Sequence, residues 1–280
     1  MTYDIHKVQL SNGCEVAYID EGSGAQTILF VHGLATYARS WKKQIESLKD
    51  KYRCIAIDLP GNGKSDRGDY PYSMNFFAGC VYDFIQKLRL TNVVLAGHSM
   101  GGQVVMNLLI NLPSAAEKLI LFAPAGFETF NGMERSLYQS SISFLDMFST
   151  EENSLRRTIR SSFYQYPPHV DEMIEELVAL MKIHSIREYR AMIEACVAGM
   201  LHEPVFNQLH LIQQPTLVMY GERDALIPNR LIHPVNTRTI GEAGVAQMPH
   251  AQLQMIPRCG HFLQLEKPAE VNSLVREFLG

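Results

Sequence analysis

The chain reads as an α/β protein: a mostly parallel, twisted sheet flanked by helices, with a helical segment inserted between two core strands. Three observations predict this. Short continuous apolar runs such as Thr27-Ile28-Leu29-Phe30-Val31 and Val93-Val94-Leu95-Ala96 have the composition of parallel strands buried on both faces. These runs alternate with helical patterns, the β-then-α order of a layered α/β domain. The alternation stops between about 128 and 211, where the pattern is helical and amphipathic throughout, and then resumes.

With 280 residues, 46% hydrophobic and 19% charged, the chain can bury one large core, and its length suits one domain carrying an insertion better than two independent units. A net charge of −4 and a pI near 6.2 give no basic footprint, so nucleic acid is not expected as a partner. Asp4, His6, Lys7, Gln9, Glu15 and Asp20 interrupt any apolar signal core near the start. No run reaches the roughly 18 apolar residues of a membrane span. Cys14, Cys54, Cys80, Cys196 and Cys259 are scattered and form no C-x-x-C pair, which reads as buried free thiols in a reducing compartment. The expectation is a cytoplasmic protein with no integral membrane association. A homo-oligomer stays open.

Taken in order, residues 3–10 and 14–19 are strand-like and joined by Ser11-Asn12-Gly13, a hairpin turn signal. The buried strand at 27–31 runs into His32-Gly33-Leu34. A helix over 41–51, a strand over 53–58 and a helix over 72–88 follow. Between them, Gly63-Lys64-Ser65 suggests a phosphate loop, but Asp58 stands where G-x-x-x-x-G-K-[ST] requires glycine, so that reading fails. The strand at 93–96 enters Gly97-His98-Ser99-Met100-Gly101 and then a helix reaching residue 112. A strand over 118–124 precedes four predicted helices at 134–148, 151–164, 168–184 and 187–200. Strands return at 215–220 and 252–256. The stretch 238–249 between them has no evident role.

The central feature is G-x-S-x-G lodged between a strand and a helix. A serine there sits on a tight, strained turn that only small neighbours permit, and Gly97 and Gly101 supply the room. The helix beginning at Met100 places its unpaired N–H groups and positive dipole end beside the Ser99 hydroxyl. With Gly102 the motif becomes GHSMGG. On these residues the sequence resembles the α/β-hydrolases, and within them the carboxylesterase and lipase-like members.

That resemblance implies an α/β-hydrolase core at 1–127 and 212–280 and a helical cap at 128–211. It implies Ser99 as nucleophile, with Asp224 in Gly221-Glu222-Arg223-Asp224 as the acid and His261 in Cys259-Gly260-His261 as the base. The order Ser, Asp, His along the chain is that of the family. An acid just past the end of a parallel strand also lies where such sheets gather catalytic groups. Asp224 is therefore preferred to Glu128, which follows the preceding strand. The resemblance further assigns the backbone N–H groups of Leu34 and Met100 to an oxyanion hole, and leaves His32 as a brace for its loop. Asp58-Leu59-Pro60-Gly61-Asn62-Gly63-Lys64-Ser65 is similar to a structural loop of the family.

The implied chemistry is acyl transfer to water without metal or cofactor on a small-molecule ester. No H-E-x-x-H is present, and His202 and His210 read as scattered histidines. Ser rather than Asp at 99 argues against epoxide hydrolase and haloalkane dehalogenase chemistry. His32-Gly33-Leu34 lacks the H-G-G-P-G of proline iminopeptidases and the H-G-S-G-P-G of C–C bond hydrolases. A C–C hydrolase nevertheless remains the alternative enzyme, and a non-enzymatic ligand receptor using the same pocket the alternative class. The insertion carries Tyr138, Phe144, Phe148, Phe163, Tyr164 and Tyr166, and the methionines 133, 147, 173, 181, 192 and 200. About a quarter of these are expected to face substrate, with Arg156, Arg157 and Arg160 forming a solvated face and no exposed apolar surface.

Overall fold

In the computed structural model, which describes residues 3–144, 152–182 and 186–280, the apolar runs become the strands of one sheet. They are β1 (His6–Gln9), β2 (Glu15–Glu21), β3 (Thr27–Val31), β4 (Arg53–Ile57), β5 (Val93–His98), β6 (Lys118–Phe122), β7 (Thr216–Gly221) and β8 (Ala251–Ile256). Their spatial order is β1-β2-β4-β3-β5-β6-β7-β8. β1 and β2 form the antiparallel hairpin turned at Asn12-Gly13, and β2 joins β4 antiparallel. Every other pair is parallel. All residues of β3, β5 and β7 are buried, which accounts for their unbroken apolar sequence.

Helices α1 (Lys42–Leu48), α2 (Met74–Lys87) and α3 (Met100–Asn111) connect the first parallel strands. Ser73 caps α2 by accepting the Phe76 N–H at 3.1 Å. Between β6 and β7 the described residues contain no strand. They form α4 (Gly132–Phe144), α5 (Glu152–Ser161), α6 (Asp171–Lys182) and α7 (Ile186–His202). The predicted helix ends shift accordingly. α5 stops three residues short of 164, because residues 162–164 leave the helix to pack on the loop of His261. Residues 168–170 form a 3-10 turn ahead of α6. The parts predicted over 145–148, 151 and 183–184 lie outside the described residues.

The stretch that had no role in the sequence contains α8 (Thr237–Val245), capped by Asn236, whose side chain accepts the Thr239 N–H at 2.9 Å. A parallel β7–β8 pair cannot be joined by a tight turn, and α8 is its crossover. After β8 come α9 (Leu263–Glu266) and α10 (Pro268–Leu279), the latter opening on Pro268. Register does the rest: Val31 lies opposite Gly97, Gly97 opposite Leu121, and Gly221 opposite Ile256. The carboxyl ends of β3, β5, β6, β7 and β8 therefore line up along one edge of the sheet.

Candidate active site

Ser99 follows β5 at the centre of that edge, with φ +52° and ψ −119°, a left-handed conformation whose strain is worth about 1–3 kcal/mol. Its backbone is held on both sides: Ser99 N–H donates to Phe122 O at 3.0 Å, and Ala125 N–H donates to Ser99 O at 3.0 Å. The glycines around it are demanded by contact as well as by the turn. A Cβ on Gly97 would lie 2.5 Å from Gly101 O, and one on Gly101 would lie 2.4 Å from both Val31 O and His32 O. α3 can thus cross directly over the end of β3. Met100 is the first residue of α3, so its N–H has no helical acceptor. Among the described residues neither the Met100 nor the Leu34 N–H donates to another group of the chain.

The sequence-predicted acid and base meet. His261 Nδ1 lies 2.8 Å from Asp224 Oδ2, with both side chains almost fully buried. The other carboxylate oxygen, Oδ1, accepts the Leu226 and Ile227 N–H groups at 2.8 and 3.0 Å. These bonds fix the plane of the carboxylate. A tie to the helical insertion, which the sequence did not suggest, holds the histidine backbone: His261 N–H donates to Ser162 O at 2.8 Å. Phe163 stacks on Phe262 beside it, with centroids 5.1 Å apart.

Neighbouring histidines serve the scaffold. His32 is fully buried, with Nδ1 donating to Gly33 O at 2.8 Å and Nε2 accepting the Leu59 N–H at 3.0 Å. Burial pushes its pKa down to about 4. His98 Nε2 lies 3.1 Å from His261 O. Burial, then the nearby His261, hold its pKa well below the usual histidine value. The loop at 58–65 is tied internally: Asp58 accepts the Ala38 and Lys64 N–H groups, and Ser65 Oγ donates to Asp58 O at 2.6 Å.

Ser99, His261 and Leu34 line a cavity of about 160 Å³. Its other walls include Leu155, Ile159, Val197 and Leu201 from the inserted helices. Of the aromatic and methionine side chains singled out in the insertion, Tyr138 and Met200 line the cavity. Phe163, Met173, Met181 and Met192 are packed in the core instead. Phe148 and Met147, and the side chain of Phe144, lie outside the described residues. The arginine face is paired rather than merely solvated: Arg156 engages Glu175 on α6, and Arg160 reaches Asp171 at 3.0 Å.

Two expectations need correction or extension. Apolar surface is exposed among the described residues: Met133 and Leu231 are each 84% accessible and Leu137 57%. Helical periodicity over 134–148 did not reveal this for Leu137, because it does not distinguish a face covered by the core from one left open, and Met133 and Leu231 stand outside that pattern. Glu128, set aside as an alternative acid, is not the partner of His261; it lies 2.7 Å from Nδ1 of His233, while His261 is held by Asp224. Among the described residues no group of three or more His, Cys, Asp or Glu side chains is placed to hold a metal ion, and no helix is long and apolar enough to cross a membrane.

A strained serine at a strand–helix turn, on a mostly parallel sheet with a buried Asp–His pair beyond the ends of β7 and β8, defines an α/β-hydrolase architecture. The sequence profile described as alpha/beta hydrolase fold matches residues 26–268, and the chain belongs to that family. It is 26% identical over 284 residues to a 2-hydroxy-6-oxononadienedioate/2-hydroxy-6-oxononatrienedioate hydrolase of Cupriavidus pinatubonensis, covering 93% of this chain and 89% of that one. Among solved structures, one described as a probable hydrolytic enzyme of Pseudomonas aeruginosa superposes with TM-score 0.84 at 26% identity, covering 100% of this chain and 95% of that one. An esterase of Exiguobacterium antarcticum shares the fold with TM-score 0.81 at 24% identity, over 98% and 99% of the two chains.

Proposed function

We propose that the protein is a serine hydrolase that cleaves carboxylic esters of small to medium size through an acyl-enzyme. The observation that carries this is the buried Asp224–His261 contact of 2.8 Å opening onto the cavity that Ser99 also lines. In this reading His261 takes the Ser99 proton as the hydroxyl attacks the ester carbonyl, then returns it to the departing alcohol. Water, activated by the same imidazole, releases the acid. Asp224 keeps the Nδ1–H tautomer and steadies the imidazolium. The Leu34 and Met100 N–H groups receive the oxyanion, each such donor being worth about 10²-fold to 10³-fold in rate.

Helices α4 to α7 act as a cap over the sheet edge, and the cavity sets the size class. A cavity of about 150 Å³ accommodates a benzene-sized body, and the 160 Å³ here suits a comparable acyl or alcohol group. Ester hydrolysis is favoured over C–C cleavage of a dienedioate, which must bring two carboxylates. Among the described residues no lysine or arginine lines the cavity to receive them. Hydrolysis of p-nitrophenyl butyrate tests the reading: the wild-type protein should turn over repeatedly, whereas an enzyme that cleaves only a dienedioate, or a receptor that reacts once, would contradict it.

A further inference from the structure

Glu128 is the one carboxylate among the described residues lining the cavity, and its side chain is only 8% exposed. Both oxygens accept the Asn229 N–H, at 2.9 and 3.1 Å, and Oε1 also faces His233 Nδ1 at 2.7 Å. His233 is itself held between carboxylates, its Nε2 lying 3.7 Å from Glu134 Oε1 on α4, and its ring packs against Phe130, another wall residue. The reaction described above uses none of this, because Asp224 already orients His261. A neutral glutamine could accept the Asn229 N–H equally well, so that backbone bond does not account for a charge at this position. Beyond its contact with His233, what a carboxylate adds to a largely apolar wall that holds no other carboxylate among the described residues is a field acting on whatever enters, with Oε2 left only a share of one N–H.

We propose that Glu128 gives the cavity a charge preference: ligands carrying an ammonium or another strong N–H donor are favoured over neutral isosteres, and ligands carrying a carboxylate are rejected. For catalysis this rests on the ester reading and narrows its substrates to neutral and cationic esters. A charge within a few ångströms of Glu128 should change affinity on the order of 10-fold to 100-fold.

The test separates the two claims. Calorimetry on the Ser99→Ala protein, with and without Glu128→Gln, is run at pH 7.5 with 3-phenylpropylamine, 3-phenylpropanol and 3-phenylpropanoate. The expected order of affinity is amine, alcohol, acid, and Glu128→Gln should weaken the amine and strengthen the acid by roughly tenfold each. Unchanged ratios, equal weakening of all three ligands, or no binding of the amine would overturn the proposal; equal weakening would mean that Glu128 only supports the Asn229 loop. In parallel, the protein with Ser99 intact is offered butyrylcholine and its neutral isostere 3,3-dimethylbutyl butyrate. Failure to hydrolyse either, with the binding order intact, defeats the ester reading and leaves the charge preference standing.

Discussion

Ser99 keeps its strained conformation because bonds from Phe122 and Ala125 fix it on both sides, and that strain holds its hydroxyl out from the sheet. Ser99→Ala removes the proposed nucleophile without disturbing those backbone bonds. Its kcat should fall about 10⁴-fold to 10⁶-fold while its unfolding curve matches the parent; retention of more than a few percent of activity would move the nucleophile elsewhere. Asp224→Asn disturbs the imidazole tautomer, and kcat should fall by up to ~10⁴-fold. On a neutral ester that loss should exceed the loss for Glu128→Gln; the reverse ranking would transfer the acid's role. That Ser99, Asp224 and His261 would come together at the sheet edge was legible because each sits at a strand end inside a short local pattern. Glu128 and His233 were not, because they meet only in three dimensions, 105 residues apart in sequence, and neither stands in a motif. His98 was legible as part of the elbow but not as the side chain that reaches the His261 carbonyl.

At the scale of elements, α3 approaches β3 so closely that Gly101 has no room for a methyl group. Gly101→Ala should lower stability by about 1–3 kcal/mol through overpacking against immobile backbone, measurable as a lower urea midpoint; an unchanged midpoint would show that the crossing can relax. The inserted helices were visible in the sequence as an interruption of the β-then-α order, although their ends and their packing were not. α8 escaped notice because Gly241 and Gly244 dilute its helical pattern. A Cβ on Gly244 would fall 2.0 Å from the Phe127 ring, so its glycine answers to packing rather than to helix propensity. If the inserted helices enclose the acyl group, kcat/KM on p-nitrophenyl esters should rise about 3-fold to 4-fold per methylene, at roughly 0.8 kcal/mol each, and then fall once the cavity is full. The exposed Met133, Leu137 and Leu231 make the contrary outcome concrete. Activity that jumps only above the micellar concentration of a long ester would mean that the substrate is taken from an apolar surface.

For the whole molecule, buried ionisable groups set the response to acid. His32 binds its proton only near pH 4 in the folded state and near 6.5 when unfolded. Its contribution to stability is therefore complete above pH 6.5 and lost as pH falls toward 4, on the order of 3 kcal/mol. His98 acts with the same sign. Asp58 opposes them: burial pushes its pKa up to about 6, so it adds stability as pH falls through 6 toward 3.8, again on the order of 3 kcal/mol. Burial raises the pKa of Glu128 in the same direction as Asp58 and lowers that of His169 in the same direction as His32, so three histidines act against two carboxylates and the balance predicts a net loss. Urea midpoints should drop between pH 7 and pH 4.5, and drop further in Asp58→Asn; a flat profile in both proteins would show that these groups are more solvated than their surroundings imply. The mostly parallel sheet with its flanking helices followed from the apolar runs, whereas the spatial order of its strands and charges this deep inside could not be inferred from composition, which has an ordinary charged fraction. The central claim, that Ser99 is the activated nucleophile of this fold, is tested most directly by reacting the native protein with an alkyl fluorophosphonate and locating the adduct by peptide mass spectrometry. The account predicts one adduct per chain on Ser99, abolished by prior unfolding and absent from Ser99→Ala. An adduct on another serine, or none under conditions where the protein hydrolyses esters, would contradict it.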